Sequence, residues 1–172
     1  MALIRPLTDA DIDDVALVHV RTWQAGYAGI VPADYLAALD PVANAARRRG
    51  WPVRPGQHTL VAAQDGRVVG FVSFGPRRRD DETFDDEIGE VYAIYVEPGH
   101  WRGGIGRDLM DAAKLGLAGA GFRGLVLWVL EENDRGRRFY ERMGLAPDGT
   151  RQFYTPNGSD ARLPELRYAT AL

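Results

Sequence analysis

The chain has 172 residues, 45% of them hydrophobic, with 21 Lys and Arg against 24 Asp and Glu for a net charge of −3; that supplies one good core, so a single domain over 1–172 is expected. The acidic balance, with a pI near 5.6, offers no global attraction to nucleic acid or anionic lipid. No cysteine is present, which removes disulfides, thiol nucleophiles and thiolate-held zinc and suits the cytoplasm; the N-terminus lacks a signal-peptide apolar region, and no apolar stretch approaches the ~20 residues of a membrane span.

Residues 2–6 read as a short strand. Thr8, with Asp11 three positions on, offers a cap to a helix that carries Ile12, Val15, Val18 and Thr22 on one face and ends near Gly26. Pro32 opens a second helix, which breaks at Asp40-Pro41 and resumes to the stop at Arg47-Arg48-Arg49-Gly50. Pro52, Pro55 and Gly56 form a loop, and Asp65-Gly66 joins strands 59–64 and 67–74 as a hairpin. The charged run 76–87 has no apolar periodicity and reads as a solvated connection, with an acidic lip that draws in a cationic amine as the sharper alternative.

Residues 90–96 form the fourth strand, followed by a glycine turn and a helix marked by Ile105, Leu109, Ala112, Ala113, Gly116, Leu117 and Ala120. The continuously apolar run 125–130 is a strand covered on both faces, so the unit 90–130 predicts a right-handed parallel crossover. A short helix over 134–143 stops at Gly144, and two weaker strands lie around 151–154 and 165–170.

The glycine turn is the chemical feature. Gly103, Gly104 and Gly106 let the backbone approach a ligand closely, and a helix that starts there points unpartnered N–H groups outward, which makes an anion site. A P-loop needs a lysine that this turn lacks, since the chain's one lysine is Lys114 further along the helix. A dinucleotide fingerprint needs a third glycine where Leu109 stands. Neither serine, Ser73 or Ser159, lies in a nucleophile elbow, and His19, His58 and His100 are scattered singly, so no metal is expected.

Two motifs narrow the guest. Val96-x-Pro98 running into Trp101-Arg102-Gly103-Gly104-Ile105-Gly106, then Asn133 and Phe139-Tyr140-x-x-x-Gly144-Leu145, resemble the acetyl-CoA-binding signature of the GNAT N-acetyltransferase superfamily. The likeness covers 59–145 and, in outline, 3–26. One departure stands out: the pattern Gln/Arg-x-x-Gly-x-Gly/Ala has Trp101 in its first position.

The resemblance implies an α/β (α+β) fold, a mixed and mostly antiparallel sheet whose parallel fourth and fifth strands splay apart, flanked by helices. It implies acetyl-CoA as cosubstrate, with its pantetheine arm along the backbone of Ile94, Tyr95 and Val96 and its diphosphate over Arg102, Gly103, Gly104, Ile105, Gly106 and Arg107. Asn133 would bond the pantetheine or cap the following helix, Tyr140 would give a proton to the departing thiolate, and Glu90 would act as general base once burial raises its pKa. Trp23, Tyr27, Tyr92 and Tyr154 are the residues expected around the acceptor, a small-molecule amine or a peptide amine, with no nucleic-acid or membrane partner. A homodimer is compatible with the family plan. Two alternatives share the same residues: an acyl-CoA-binding sensor or scaffold that does not turn over, and a transferase that uses a longer acyl-CoA.

Overall fold

A computed structural model describes residues 1–52 and 54–172, so the 52–56 loop is covered except at position 53. Seven strands form one sheet in the order β1-β2-β3-β4-β5-β7-β6. They are β1 (Leu3–Pro6), β2 (His58–Gln64), β3 (Arg67–Arg78), β4 (Phe84–Val96), β5 (Gly124–Leu130), β6 (Ala146–Tyr154) and β7 (Leu163–Ala171). Every neighbouring pair is antiparallel except β4 with β5, which is parallel. Among the described residues, five α-helices accompany them: α1 (Ile12–Gly26), α2 (Ala33–Ala37), α3 (Pro41–Arg49), α4 (Ile105–Gly119) and α5 (Asp134–Arg142).

The two faces of the sheet hold different cores. Ile105, Leu109, Met110, Ala113 and Leu117 of α4 pack on Val72, Phe74, Val91, Leu125 and Leu127, because apolar positions three and four apart share one helix face while alternate strand residues share one sheet face. On the opposite face, Val15 and Val18 of α1 pack on Val61, Val68 and Phe71. Leu109 is fully buried, so Leu109→Ala is expected to cost about 2–5 kcal/mol of unfolding free energy, read as a lower denaturation midpoint at unchanged slope.

Local chemistry sets the helix starts. Thr8 and Asp11 form a reciprocal capping box before α1, and the Asp11 carboxylate also takes both guanidinium nitrogens of Arg5, at 2.6 and 2.7 Å. That forked ion pair holds the Asp11 carboxyl far below the usual carboxylate range. Asp40 caps α3 by accepting from the N–H groups of Val42 and Ala43, with Pro41 in the first turn.

The connection expected over 76–87 is largely strand. β3 runs to Arg78 and β4 begins at Phe84, so the turn is confined to 79–83. Asp85 is buried, accepts from the N–H groups of Glu87 and Ile88, and faces Arg77 and Arg79 at 3.8 and 3.4 Å. A charge run remains a ladder when its acids and bases meet across the hairpin.

Candidate active site

β4 and β5 share a short seam. Their paired residues are Ile88, Gly89 and Glu90 with Gly124, Leu125 and Val126. Beyond Glu90, β4 continues to Val96 with no strand on that side among the described residues, while β5 continues to Leu130 and pairs only with β7. A backbone edge left open this way must find other hydrogen-bond partners, and an extended ligand carrying amides supplies them. Ile94 packs on the α4 side and Tyr95 on the α1 side, so their side chains leave the gap to the main chain. The Val96 carbonyl is an exception to the expected open edge: Trp101 Nε1 donates to it at 2.6 Å and Thr22 Oγ1 at 3.1 Å.

At the opening of the gap lies the turn on which an anion site was expected. Arg102 has φ +66° and Gly104 has φ +88°, two left-handed residues that fold the chain sharply before α4. A side chain at such a φ is strained by roughly 1–2 kcal/mol, so Arg102 is held there by its surroundings. Ile105, Gly106 and Arg107 form the first turn of α4, where no preceding turn supplies carbonyls for their N–H groups. Gly103 differs from the expectation in part, since its N–H reaches the His100 carbonyl at 3.4 Å. Gly106 lies close to Phe139, which comes within 3.4 Å of the position a Cβ would take. The dipole of α4 and these free N–H groups favour negative charge.

On the far arm of the gap, Asn133 caps α5 by accepting from Gly136 N–H at 3.0 Å, which leaves its amide NH2 as a donor. Tyr140, two turns along α5, stacks edge-on with Phe139 at 5.3 Å and faces Tyr168 at 6.3 Å. Its hydroxyl has no hydrogen-bond partner among the described residues, and burial pushes its pKa above the ordinary phenol value.

Glu90 stands where the strands part. It lies in the middle of β4 rather than at its start, is 4% exposed, and is the last residue of β4 paired with β5. Its carboxylate accepts the Arg78 N–H at 3.0 Å, and the Arg78 guanidinium lies 3.5 Å away. Burial raises its pKa against those two favourable contacts.

Three of the four residues expected around the acceptor come together. Trp23 touches Tyr27 edge-on at 4.8 Å and Tyr154 at 6.0 Å, and Tyr35 of α2, which the sequence did not suggest, joins at 6.2 Å. The Trp23 indole N–H is buried without a partner among the described residues. Tyr92 stands apart from this aromatic group: its hydroxyl donates to the Pro76 carbonyl, and the Arg78 guanidinium lies over its ring at 4.6 Å. Burial and the neighbouring Glu90 push the Tyr92 phenol up to about 12. Glu165 of β7 was also missed; burial raises its pKa, with Glu90 adding to the shift. A cavity of about 530 Å³ lined by Asp34, Tyr35, Leu39, Arg47, Asn157 and Asp160 opens beside Tyr35. Among the described residues, no three His, Asp or Glu side chains gather as a metal would require, and no helix is long and apolar enough to cross a membrane.

The sequence profile of the Acetyltransferase (GNAT) family matches residues 23–145. The uncharacterized N-acetyltransferase YuaI of Bacillus subtilis is 37% identical over 134 residues, 77% of this chain and 74% of that protein. The uncharacterized N-acetyltransferase Rv2669 of Mycobacterium tuberculosis is 31% identical over 83% of this chain and 88% of its own length. Among solved structures, the PaiA N-acetyltransferase of Thermoplasma acidophilum, crystallised with coenzyme A, superposes with a TM-score of 0.74 over 100% of this chain and 99% of that one, at 20% identity.

Proposed function

The chain belongs to the GNAT acetyltransferase family and is an acyl-CoA-dependent N-acyltransferase with acetyl-CoA as cosubstrate, and on that premise we propose that its 172 residues act as one domain that transfers the acetyl group to a primary amine by direct attack. The observation that carries this reading is the early parting of β4 and β5 after Glu90, with the first turn of α4 at its mouth. The open β4 edge receives the pantetheine amides, with Asn133 as a further donor, and the free N–H groups of Ile105, Gly106 and Arg107 hold the diphosphate. Acetyl-CoA brings the activated thioester. Glu90 takes the proton that an ammonium must lose before its nitrogen can attack, directly or through water, and Tyr140 donates its hydroxyl hydrogen to the charge that develops on the sulfur. Without a cysteine, the direct route is favoured over a thioester on the enzyme.

The acceptor enters on the α1–α2 side, beside the aromatic group of Trp23, Tyr27, Tyr35 and Tyr154. Small amines and peptide N-termini are the two classes to compare. In an assay over a panel of both, with mass detection of product, at least one acceptor is expected to gain a single acetyl group, 42 Da, with release of free coenzyme A in equal amount. Saturable binding of acetyl-CoA with no transfer to any acceptor would favour the sensor or scaffold alternative instead.

A further inference from the structure

Trp101 occupies the position at which the matching glycine pattern carries Gln or Arg, and the structure puts a guanidinium back beside it from elsewhere in the chain. Arg135 extends from the first turn of α5, on the β5 arm of the gap, and lays its guanidinium over the Trp101 ring at 3.6 Å from the centroid. Trp101 is held in turn by the bond from its indole N–H to the Val96 carbonyl, so the platform is tied to the end of β4. One guanidinium nitrogen of Arg135 comes within 2.7 Å of the position a Cβ on Gly26 would take, at the C-terminus of α1. Arg135 therefore reaches across the mouth of the gap from one arm to the other, and a larger residue at 26 would obstruct it.

Its electrostatic setting is incomplete. Among the described residues the Arg135 guanidinium makes no hydrogen bond and no ion pair, and neither does that of Arg102. Burial and the like charge of Arg102 both lower the Arg135 pKa. A guanidinium without a protein counter-ion, stacked on Trp101 at the mouth of the gap, leaves a positive charge there for an anion to meet. A planar guanidinium already stacked on an aromatic ring is pre-oriented for forked donation to phosphate oxygens.

We infer that Arg135 closes on the diphosphate of the acyl-CoA donor, with Trp101 as its platform, and so supplies from α5 the cationic contact that the glycine turn lacks at position 101. This rests on the reading that the first turn of α4 receives that diphosphate. Arg135 is exposed on its outer side, so its replacement leaves the packed core untouched.

The test is calorimetric titration of the wild-type protein, Arg135→Gln and Arg135→Lys with coenzyme A and with 3′-dephospho-coenzyme A, at low and high salt. Arg135→Gln is expected to weaken both ligands by about tenfold or more, since the lost bonds are charge-assisted, and the deficit should shrink at 1 M salt. Arg135→Lys keeps the charge without the fork and should fall between. Trp101→Ala should weaken both ligands as well, while Trp101→Phe, which retains a ring, recovers part of the loss. Equal affinity of wild type and Arg135→Gln overturns the inference, as does a deficit seen only with the ligand that carries the 3′-phosphate. If the wild-type protein binds neither ligand, the acyl-CoA reading itself fails and the Arg135 assignment goes with it.

Discussion

Tyr140→Phe is expected to lower kcat by about 100-fold while the dissociation constant for acetyl-CoA stays within about twofold of the parent value. The substitution removes one oxygen and keeps the ring, so the contacts with Phe139 and Tyr168 persist. Because the hydroxyl has no protein partner among the described residues, its loss leaves no other group unsatisfied. Burial holds the phenol above its ordinary pKa, so it remains protonated across the neutral range and always has a hydrogen to donate. A raised pKa makes it a weaker acid than the thiol that departs, so its contribution lies in meeting the charge as it forms on sulfur inside a poorly hydrated gap, where such a donor is worth most. The ground-state thioester carries no such charge, which is why kcat moves and affinity does not. Steady-state kinetics with a saturating acceptor, beside a direct binding titration, checks this; unchanged kcat would remove Tyr140 from the chemistry.

Much of this site was legible because its parts are local in sequence. The turn at 101–106 announces itself through glycines, and Gly104 does adopt the left-handed conformation that a side chain resists. The hairpin at Asp65-Gly66 also has both central residues at positive φ, as such two-residue turns demand. The splay of β4 from β5 was expected from resemblance alone, since nothing in the composition of either strand says where their pairing ends. What stayed hidden depends on contacts between distant segments. The strands at 76–78 and 84–87 were concealed because their charges neutralise across the hairpin, a pairing that periodicity cannot register. Arg135 is one of several arginines on a polar helix until Trp101 comes beneath it, and Tyr35 looks like an ordinary helix residue until α2 folds back on Trp23. Tyr92 lies apart from the other three residues expected around the acceptor, with its hydroxyl turned to Pro76.

Glu90→Gln is expected to reduce kcat by at least about 100-fold and to abolish the acidic limb of the pH profile of kcat/KM. The base works only when deprotonated, so a pKa raised by burial moves that limb above the ordinary carboxylate value near 4.3, toward neutral pH. Arg78 acts in the other direction, since its N–H and guanidinium both favour the carboxylate form. Arg78→Ala keeps the N–H and removes the guanidinium; it should therefore shift the acidic limb to still higher pH. The same imbalance has a sign in stability. A carboxyl whose pKa is raised on folding binds its proton more tightly in the folded state, so its contribution is full below the unfolded pKa and declines as the pH rises through the folded one. At neutral pH the buried charge is a net cost, and Glu90→Gln, whose side-chain oxygen can still accept the Arg78 N–H, should raise the thermal midpoint at pH 7 while it lowers the rate. Opposite movements of midpoint and kcat mark a residue retained for chemistry at the expense of stability; a variant with the parental pH profile would exclude Glu90 as the base.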